Sequence, residues 1–471
     1  MSGRKQKQEK IFKGVDIIDI ADEGMAVGRC EDGLIVLVRG AVPGDKADVV
    51  VVEKRKGIFI SRTISISSFS PYRTDPFCSH FGTCGGCKWQ HMTYAAQLQF
   101  KEKKVRDAFE RIAGLDPALV QPIVGAPLQT YYRNKLEYTA SDRRWLSHEE
   151  MMHKETISDT DGIGFHLSGA YDKVLDIKHC YLQPDPSNDI RLFIKNFCIG
   201  HQWPFSNLKS RSGFIRNIIV RNNLDTQCMV VLVVGEDDRE KIKILVDALI
   251  TAFPQVISIY SCINLKVNDS IHDLETKLEF GNEGIEEKIG TVKFRIGPKS
   301  FFQTNSLQAY HLYSIAKNVA ALSATDNVYD LYCGVGSLGL FMADQCRQVV
   351  GIEQIGEAVE DARSNAILNG YTNAHFVEGQ VELLLDPGFI SKYGLPDVII
   401  TDPPRAGMHP DVIKHLLSAK ADRIVYVSCN PATQARDLKM LSSDYRLISA
   451  VPVDMFPHTQ HIECVALMKR L

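Results

Sequence analysis

The stretch that decides the fold is Asp330-Leu331-Tyr332-Cys333-Gly334-Val335-Gly336-Ser337-Leu338-Gly339. It follows Val328-Tyr329, the start of a predicted strand, and precedes the apolar segment Leu340–Ala343. A glycine-rich loop between a strand and a helix is typical of folds that bind a nucleoside cofactor at the carboxyl edge of a parallel sheet. The loop alone does not separate a dinucleotide from S-adenosylmethionine, because both use similar loops.

Strands and helices alternate around this loop, from about residue 295 to the end of the chain. The pattern predicts a helix at Leu338–Cys346. It predicts strands at Val328–Tyr332, Gln348–Glu353, Asp397–Asp402 and Arg423–Ser428. Alternating units of this kind predict a parallel, doubly wound α/β sheet. Ile462–Met468 predicts a terminal strand, and a closing β-hairpin is typical of S-adenosylmethionine methyltransferases. An NAD enzyme is the alternative.

The rest of the chain is long enough for further domains, since 471 residues predict two to four. The net charge of −3 does not indicate a nucleic-acid-binding protein, although a local basic groove would be sufficient for one. The N-terminal residues Met1–Lys10 are polar and basic rather than leader-like, and no apolar run is long enough to span a bilayer. We therefore expect a cytoplasmic monomer without a membrane partner.

The N-terminal segment, residues 9–68, predicts a small β-barrel of the OB type. Its β-branched runs Leu34–Val38 and Val49–Val52 are separated by turn residues. Gly24–Arg29 and Gly40–Asp45 resemble the TRAM domain, an RNA-binding barrel. Residues 69–294 predict a β-rich central domain, and residues 295–471 form the predicted catalytic domain. A predicted helix at 95–114 is a candidate to pack on the catalytic domain despite its place in the sequence.

Three side chains follow or open predicted strands near the cofactor loop. Cys429 precedes Asn430-Pro431, which forces a turn and exposes the thiol at the sheet edge. Asp402 precedes two prolines, and Glu463 begins the terminal strand. A thiol beside carboxylates predicts covalent catalysis with a general base. The alternatives are a structural cysteine and an ordinary charge at a strand start.

Four motifs resemble those of the RNA uracil-C5 methyltransferase family, namely Ser300–Asn305, Asp402–Arg405, Ser428–Pro431 and His461–Glu463. Tyr131–Lys135 resembles a fifth. The resemblance implies a multidomain α/β protein that methylates C5 of a uridine with S-adenosylmethionine. It is closest to the iron–sulfur-containing branch that modifies 23S ribosomal RNA. A T-loop tRNA methyltransferase and a non-catalytic RNA-binding assembly factor are the alternatives.

The resemblance also implies roles for individual residues. Cys429 would add to C6 of the uracil, and Glu463 would remove the C5 proton. The implied cofactor-binding residues are Gln303, Tyr332, Gly334, Ser337, Glu353 and Asp402.

A cysteine-rich stretch supplies Cys78, Cys84 and Cys87. The family's His-Cys position implies Cys180 as the fourth ligand. Four thiolates suit zinc or a [4Fe–4S] cluster, and the resemblance favours the cluster. A redox pair of Cys84 and Cys87 is a third possibility. The remaining cysteines, apart from Cys429, are predicted to be packing residues: Cys30, Cys198, Cys228, Cys262, Cys333, Cys346 and Cys464.

Overall fold

The computed structural model describes residues 10–152, 159–167 and 170–471. These residues divide into two compact units. The first contains the described residues up to Lys103 together with Phe456–His461, and the second contains Lys104–Met455 and Ile462–Leu471. No helix in the described ranges is both long and apolar enough to cross a membrane.

The first unit contains a closed five-stranded barrel. Its strands are β1 (Ile11–Ile20), β2 (Ala26–Arg29), β3 (Ile35–Arg39), β4 (Lys46–Arg55) and β5 (Ile58–Ser68). They close in the order β1-β2-β3-β5-β4, with β3 and β5 parallel. Alternate residues of each strand point inward, so Val15, Val36, Val38, Ala47 and Val49 form a fully buried core. The β-branched runs of the sequence therefore line a barrel, as predicted.

Helix α1 (Tyr94–Ala108) follows the barrel and continues as a π-type turn, Phe109–Ala113. Gly114 ends this segment with φ +69°, a conformation that glycine adopts without strain. Val105 and Phe109 are fully buried in the core of the second unit. The regular α-helix thus ends six residues before Gly114, earlier than the sequence pattern predicts.

The second unit contains two seven-stranded sheets. The strands of the first sheet are β6 (Lys135–Ser141), β7 (Gly162–Leu167), β8 (Ala170–Asp176), β9 (Ile215–Asn222), β10 (Cys228–Val234), β11 (Val256–Ile263) and β12 (Thr276–Gly281). Three helices lie between these strands in the chain, namely α2 (His148–Met152), α3 (Ser187–Gly200) and α4 (Arg239–Ala252). The order of this sheet is β12-β11-β10-β9-β6-β7-β8, and only the β10–β11 pairing is parallel. Strands β9 and β10 are buried along their whole length.

A hairpin of β13 (Ile285–Ile289) and β14 (Val292–Ile296) leads into the second sheet. The elements that follow are α5 (Ser306–Ala320), β15 (Asn327–Leu331), α6 (Ser337–Met342), β16 (Gln348–Glu353), α7 (Gly356–Leu368), β17 (Ala374–Glu378), α8 (Val381–Leu384), α9 (Pro387–Tyr393), β18 (Val398–Thr401), α10 (Pro410–Ala419), β19 (Arg423–Ser428), α11 (Pro431–Leu441), β20 (Tyr445–Val453) and β21 (Glu463–Arg470).

This second sheet has the order β17-β16-β15-β18-β19-β21-β20. Strands β15 to β19 are parallel, and β21 runs antiparallel between β19 and β20. The alternating βα pattern and the closing hairpin are therefore confirmed. Helices α8 to α11 cover one face, where Tyr329, Val350, Ile399 and Tyr426 join the buried core.

Several element boundaries differ from the sequence prediction by one to four residues. Strand β15 ends at Leu331 because Tyr332 turns into the left-handed region, with φ +62°. The predicted helix at Leu338–Cys346 is shorter, since α6 ends at Met342 and gives way to a 3-10 turn. The terminal strand begins at Glu463 rather than at Ile462.

Candidate active site

The glycine-rich loop has one packed side and one open side. Gly336 has φ +75°, and a Cβ there would lie 2.7 Å from the ring of Phe376. A Cβ at Gly339 would lie 2.7 Å from Oδ2 of Asp330. In contrast, a Cβ at Gly334 would meet no atom within 4 Å, although φ is +54°. The loop is thus pressed against the sheet while its tip leaves room for a ligand.

Asp330 fixes the loop from within the sheet. Its Oδ2 accepts a hydrogen bond of 2.9 Å from the backbone N–H of Gly339. Burial raises the pKa of Asp330 to about 7, and the nearby carboxylates of Asp402 and Glu353 act in the same direction. A buried acid therefore lies directly beneath the loop.

Glu353 ends strand β16 next to the loop. Its two carboxylate oxygens accept the backbone N–H groups of Gly334, at 3.1 Å, and Ile355, at 2.9 Å. A carboxylate has lone pairs for further donors, so Glu353 can also accept hydroxyl groups of a ribose. Its position at the carboxyl end of a parallel strand is where such folds bind nucleosides.

Cys429 directly follows strand β19 and is partly buried. Burial and, to a smaller extent, the neighbouring Glu463 and Asp402 raise the pKa of its thiol to about 11, while Arg405 acts in the opposite direction. The thiol is therefore neutral at pH 7 in the free protein. A base or the approach of an electrophile is needed to turn it into a nucleophile.

Asp402 and Glu463 are neighbouring carboxyl groups, of which Glu463 is buried and Asp402 is partly buried. Asp402 follows strand β18, and Glu463 opens strand β21. Burial raises the pKa of Asp402 to about 7. Burial, followed by the charge of Asp402, raises the pKa of Glu463 well above its usual range. Two neighbouring carboxyl groups in a buried site cannot both ionise easily, so the pair is suited to holding and releasing one proton.

Tyr313 is a site residue that the sequence analysis missed. This buried tyrosine lies on α5, and its hydroxyl is 2.8 Å from that of Ser337 in the cofactor loop. Burial raises the pKa of Tyr313, and Asp402, Asp330 and Glu463 add to the effect. The ring therefore lies near all three carboxyl groups. Its helical context resembles that of any core tyrosine, so the sequence carries no sign of this role.

The segment before α5 positions Gln303. The carbonyl of Gln303 accepts a hydrogen bond of 3.0 Å from the Asn134 side chain, and Gln303 itself is buried. Asn305 caps α5 through the N–H of Gln308 and also donates to the carbonyl of Met455. The Tyr131–Lys135 motif is thus brought to the Gln303 segment. The side chain of Tyr332 is partly buried against the core near Glu382 and Asp437.

Helix α11, which begins two residues after Cys429, holds the loop that follows Asp402. Asn430 and Thr433 donate to the carbonyl of Arg405 at 2.9 and 3.2 Å. The buried carboxylate of Asp437 accepts the N–H of Met408 at 2.9 Å. These contacts fix the carboxylate loop and the thiol to one helix.

Two further side chains contact the Asp437 carboxylate. The hydroxyl of Tyr426 donates to Asp437 at 2.7 Å, and the guanidinium of Arg436 lies 2.7 Å from the same carboxylate. Arg436 also donates to the carbonyls of Ala406 and Met408. We call Tyr426, Arg436, Asp437 and the Ala406–Met408 segment the loop clamp.

The predicted metal ligands occur in both units. Cys78, Cys84 and Cys87 lie in the first unit, where the N–H of Gly86 points to the Cys84 sulfur at 3.4 Å. Burial raises the pKa of Cys84, and Cys78 is among the charges that add to this. Cys180 lies in the second unit, buried, with its backbone held by Asn188.

Across residues 10–152, 159–167 and 170–471, no group of three or more His, Cys, Asp or Glu side chains is arranged to hold a metal ion. The four-thiol site therefore stays a prediction. The seven cysteines predicted to be packing residues are all buried.

An α/β sheet with a glycine-rich loop, a thiol and two carboxyl groups at one edge is typical of a class of transferase. Comparisons with known proteins narrow this class. Residues 258–471 match the model of the tRNA (uracil-5-)-methyltransferase family. An RNA methyltransferase of Porphyromonas gingivalis is 47% identical over 97% of this chain and 99% of its own length. One from Chlorobaculum tepidum is 37% identical over 99% of both chains.

A solved structure covers nearly the whole chain as well. The tRNA (uracil-54, C5)-methyltransferase of Pyrococcus abyssi, in complex with S-adenosyl-L-homocysteine, has a TM-score of 0.75 and 32% identity. The match covers 97% of this chain and 100% of that one. The chain belongs to the RNA uracil-C5 methyltransferase family.

Proposed function

We propose that this protein transfers a methyl group from S-adenosylmethionine to C5 of a uridine in RNA through a covalent bond to Cys429. The observation that carries the proposal is the grouping of Cys429, Asp402 and Glu463 beside the glycine-rich loop. The open tip at Gly334 and the fixed carboxylate of Glu353 fit the nucleoside part of the cofactor.

The residue types suit the chemistry of uracil C5, which is a weak nucleophile. The Cys429 sulfur forms a bond to C6, and C5 then has enolate character. The cofactor supplies an electrophilic methyl group, which C5 takes up. Glu463 accepts the remaining C5 proton, the C5–C6 double bond re-forms, and the bond between sulfur and C6 breaks.

The elevated pKa values support a proposal for which carboxyl group accepts each proton in this scheme. Cys429 is a thiol at rest, because its pKa is about 11. The proton that it loses on attack needs an acceptor close by. Asp402, whose pKa is about 7, is ionised in part of the molecules at neutral pH and is the proposed acceptor. Burial and the charge of Asp402 raise the pKa of Glu463 and favour its protonated form at rest, so Glu463 must release its own proton before it accepts the C5 proton in the later elimination.

The proposed substrate is large-subunit ribosomal RNA. The support is the combination of an N-terminal barrel of TRAM type with a cysteine-rich loop, both associated with the ribosomal branch. The second candidate is a T-loop uridine of tRNA, favoured by the similarity to the tRNA (uracil-54, C5)-methyltransferase of Pyrococcus abyssi. A purely RNA-binding role is disfavoured, because the thiol and both carboxyl groups are in place.

A direct experiment separates these substrates. Purified protein is incubated with S-adenosylmethionine and either a large-subunit ribosomal RNA transcript or a tRNA transcript. Mass spectrometry then maps 5-methyluridine in each. We expect product in the ribosomal transcript. Product in tRNA alone would transfer the proposal to the T-loop, and product in neither would refute it.

We also propose that Cys78, Cys84, Cys87 and Cys180 bind a [4Fe–4S] cluster, with zinc as the alternative. The N–H group of Gly86 directed at the Cys84 sulfur suits a thiolate ligand, and thiolates are the ligands of both groups. Anaerobically purified protein is then expected to contain iron and sulfide. Cys180→Ser should lose the metal as fully as Cys84→Ser, whereas Cys198→Ser should retain it. Stoichiometric zinc without iron would contradict the cluster.

A further inference from the structure

Three aromatic side chains gather at the surface of the second unit, on two segments far apart in sequence. The hydroxyl of Tyr131 lies 3.1 Å from Nε2 of His179, and the rings of His179 and Tyr181 are 4.6 Å apart. The Tyr131 ring is 6.1 Å from each of the other two. We call these three residues the aromatic platform.

Tyr131 combines exposure with an unfavourable backbone. Its side chain is 38% exposed, and its φ is +54°. A bulky residue rarely adopts this left-handed conformation, and such outliers concentrate at functional sites. The backbone N–H of Tyr131 donates to the carbonyl of Tyr181 at 2.7 Å, which helps to hold the strained residue in place. The fold therefore maintains an exposed ring at a conformational cost.

The platform is joined to the catalytic side of the unit through three residues of chain. Asn134 donates its backbone N–H to the carbonyl of Thr304 at 2.8 Å and its side-chain amide to that of Gln303. The Tyr131–Lys135 segment thus connects the platform to the segment that carries Gln303.

The exposed ring of Tyr131 favours a base as its ligand. The face of an aromatic ring binds any base by stacking. Asp185 lies near enough to raise the pKa of Tyr131, after burial. An unpaired base is thus the part of an RNA that this ring can accept.

We propose that the aromatic platform stacks on an unpaired base of the substrate RNA. This inference rests on the proposed function, because it names a contact for the same RNA. Tyr131 supplies the stacking face, while His179 and Tyr181 hold its ring in position.

The test uses the full-length protein and a large-subunit ribosomal RNA transcript that the wild type methylates. Loss of one base-stacking contact weakens binding by about five- to hundredfold. Tyr131→Ala is therefore expected to raise KM for RNA by about tenfold, with kcat nearly unchanged. Tyr131→Phe keeps the ring and should stay within about threefold of the wild type.

Two further variants separate stacking from folding. Tyr131→Gly removes the ring and tolerates the positive φ, so it should reproduce Tyr131→Ala without added strain. Tyr310→Ala removes a similarly exposed tyrosine, 44% accessible, elsewhere in the same unit and should leave KM unchanged. A normal KM in Tyr131→Gly would overturn the proposal.

Abasic substitution of the RNA locates the contact. Single bases are removed, one at a time, at the unpaired positions on either side of the target uridine. In the wild type, one position should weaken binding about tenfold, and at this position Tyr131→Ala should show no additional loss. Full additivity at every position would overturn the proposal. If the wild type methylates neither ribosomal RNA nor tRNA, the proposed function fails instead, so the two failures are distinguishable.

Discussion

At the scale of single residues, the pKa values of Cys429, Asp402 and Glu463 bear on which group holds a proton at each step of the proposed reaction. Burial and two neighbouring acids, opposed by Arg405, raise the pKa of the Cys429 thiol and favour its neutral form. The pKa of Asp402 is about 7, so this carboxyl group can accept a proton near neutral pH. In the proposed scheme Glu463 acts in a separate step, the removal of the C5 proton.

Glu463→Gln should trap the covalent intermediate. Only the elimination step needs this base, so attack by Cys429 and methyl transfer proceed while release from the enzyme slows by about 100-fold or more. Denaturing gels with unmodified RNA and S-adenosylmethionine should show an accumulating protein–RNA species. Normal turnover without such a species would assign the base role to another residue.

Asp330→Asn should stabilise the protein more as pH rises. The folded-state pKa of Asp330 is about 7, raised above that of the unfolded chain, so ionisation at higher pH destabilises the wild type. A shift of about three pKa units corresponds to at most about 4 kcal/mol. The gain in Tm over the wild type should be larger at pH 8 than at pH 5. A gain independent of pH would contradict the assignment.

At the scale of elements, the loop clamp connects the thiol to the carboxylate loop. Helix α11 begins just after Cys429, and its Asp437 holds Met408 in the segment that follows Asp402. The buried carboxylate of Asp437 has a tyrosine, a guanidinium and a backbone N–H as partners, and these donors offset the cost of burying its charge. Removal of the charge leaves the three donors without an anion.

Asp437→Asn should lower the free energy of unfolding by about 2–4 kcal/mol, and Tyr426→Phe by about 1–2 kcal/mol. Both should slow turnover, because the Asp402 loop loses its anchor on α11. Urea unfolding and initial rates measure the two effects. Lys414→Met, on the exposed side of α10, is the control and should change neither. A stable Asp437→Asn with normal turnover would show that the clamp is dispensable.

The type and order of the strands and helices could be predicted from the sequence more accurately than their end residues or the residues that they contact. The strand–loop–helix pattern at Asp330–Gly339 and the closing strand at Glu463 follow from local chemistry, and both occur in the structure. The early end of β15 could not be predicted, because a positive φ at Tyr332 has no local signature. Tyr313 and Asp437 were missed, because only the fold brings them to the site.

At the scale of the whole molecule, RNA affinity should depend on the barrel as well as on the catalytic sheet. Arg39 and Arg62 are exposed and paired in register on β3 and β5. Two adjacent guanidinium groups suit a phosphate backbone, whose neutralisation releases counterions.

Arg39→Glu combined with Arg62→Glu should weaken RNA binding. The slope of log affinity against log salt concentration should become shallower by the contribution of about two phosphate contacts. The affinity for S-adenosylmethionine should stay unchanged, since the glycine-rich loop belongs to the other unit. Lys392→Glu, a single charge reversal on α9 of the second unit, is the control. Unchanged RNA affinity in the double variant would remove the barrel from the RNA-binding surface.

The most direct test of the central claim is covalent capture by 5-fluorouridine. Fluorine at C5 cannot leave as a proton does, so an RNA with 5-fluorouridine at the target position should remain bonded to Cys429 after methyl transfer. Wild-type protein with S-adenosylmethionine should give a denaturation-resistant protein–RNA complex, and mass spectrometry of its peptides should place the nucleotide on Cys429. Cys429→Ala should give none while still binding the cofactor. A complex that persists in Cys429→Ala, or a nucleotide attached to another residue, would contradict the account.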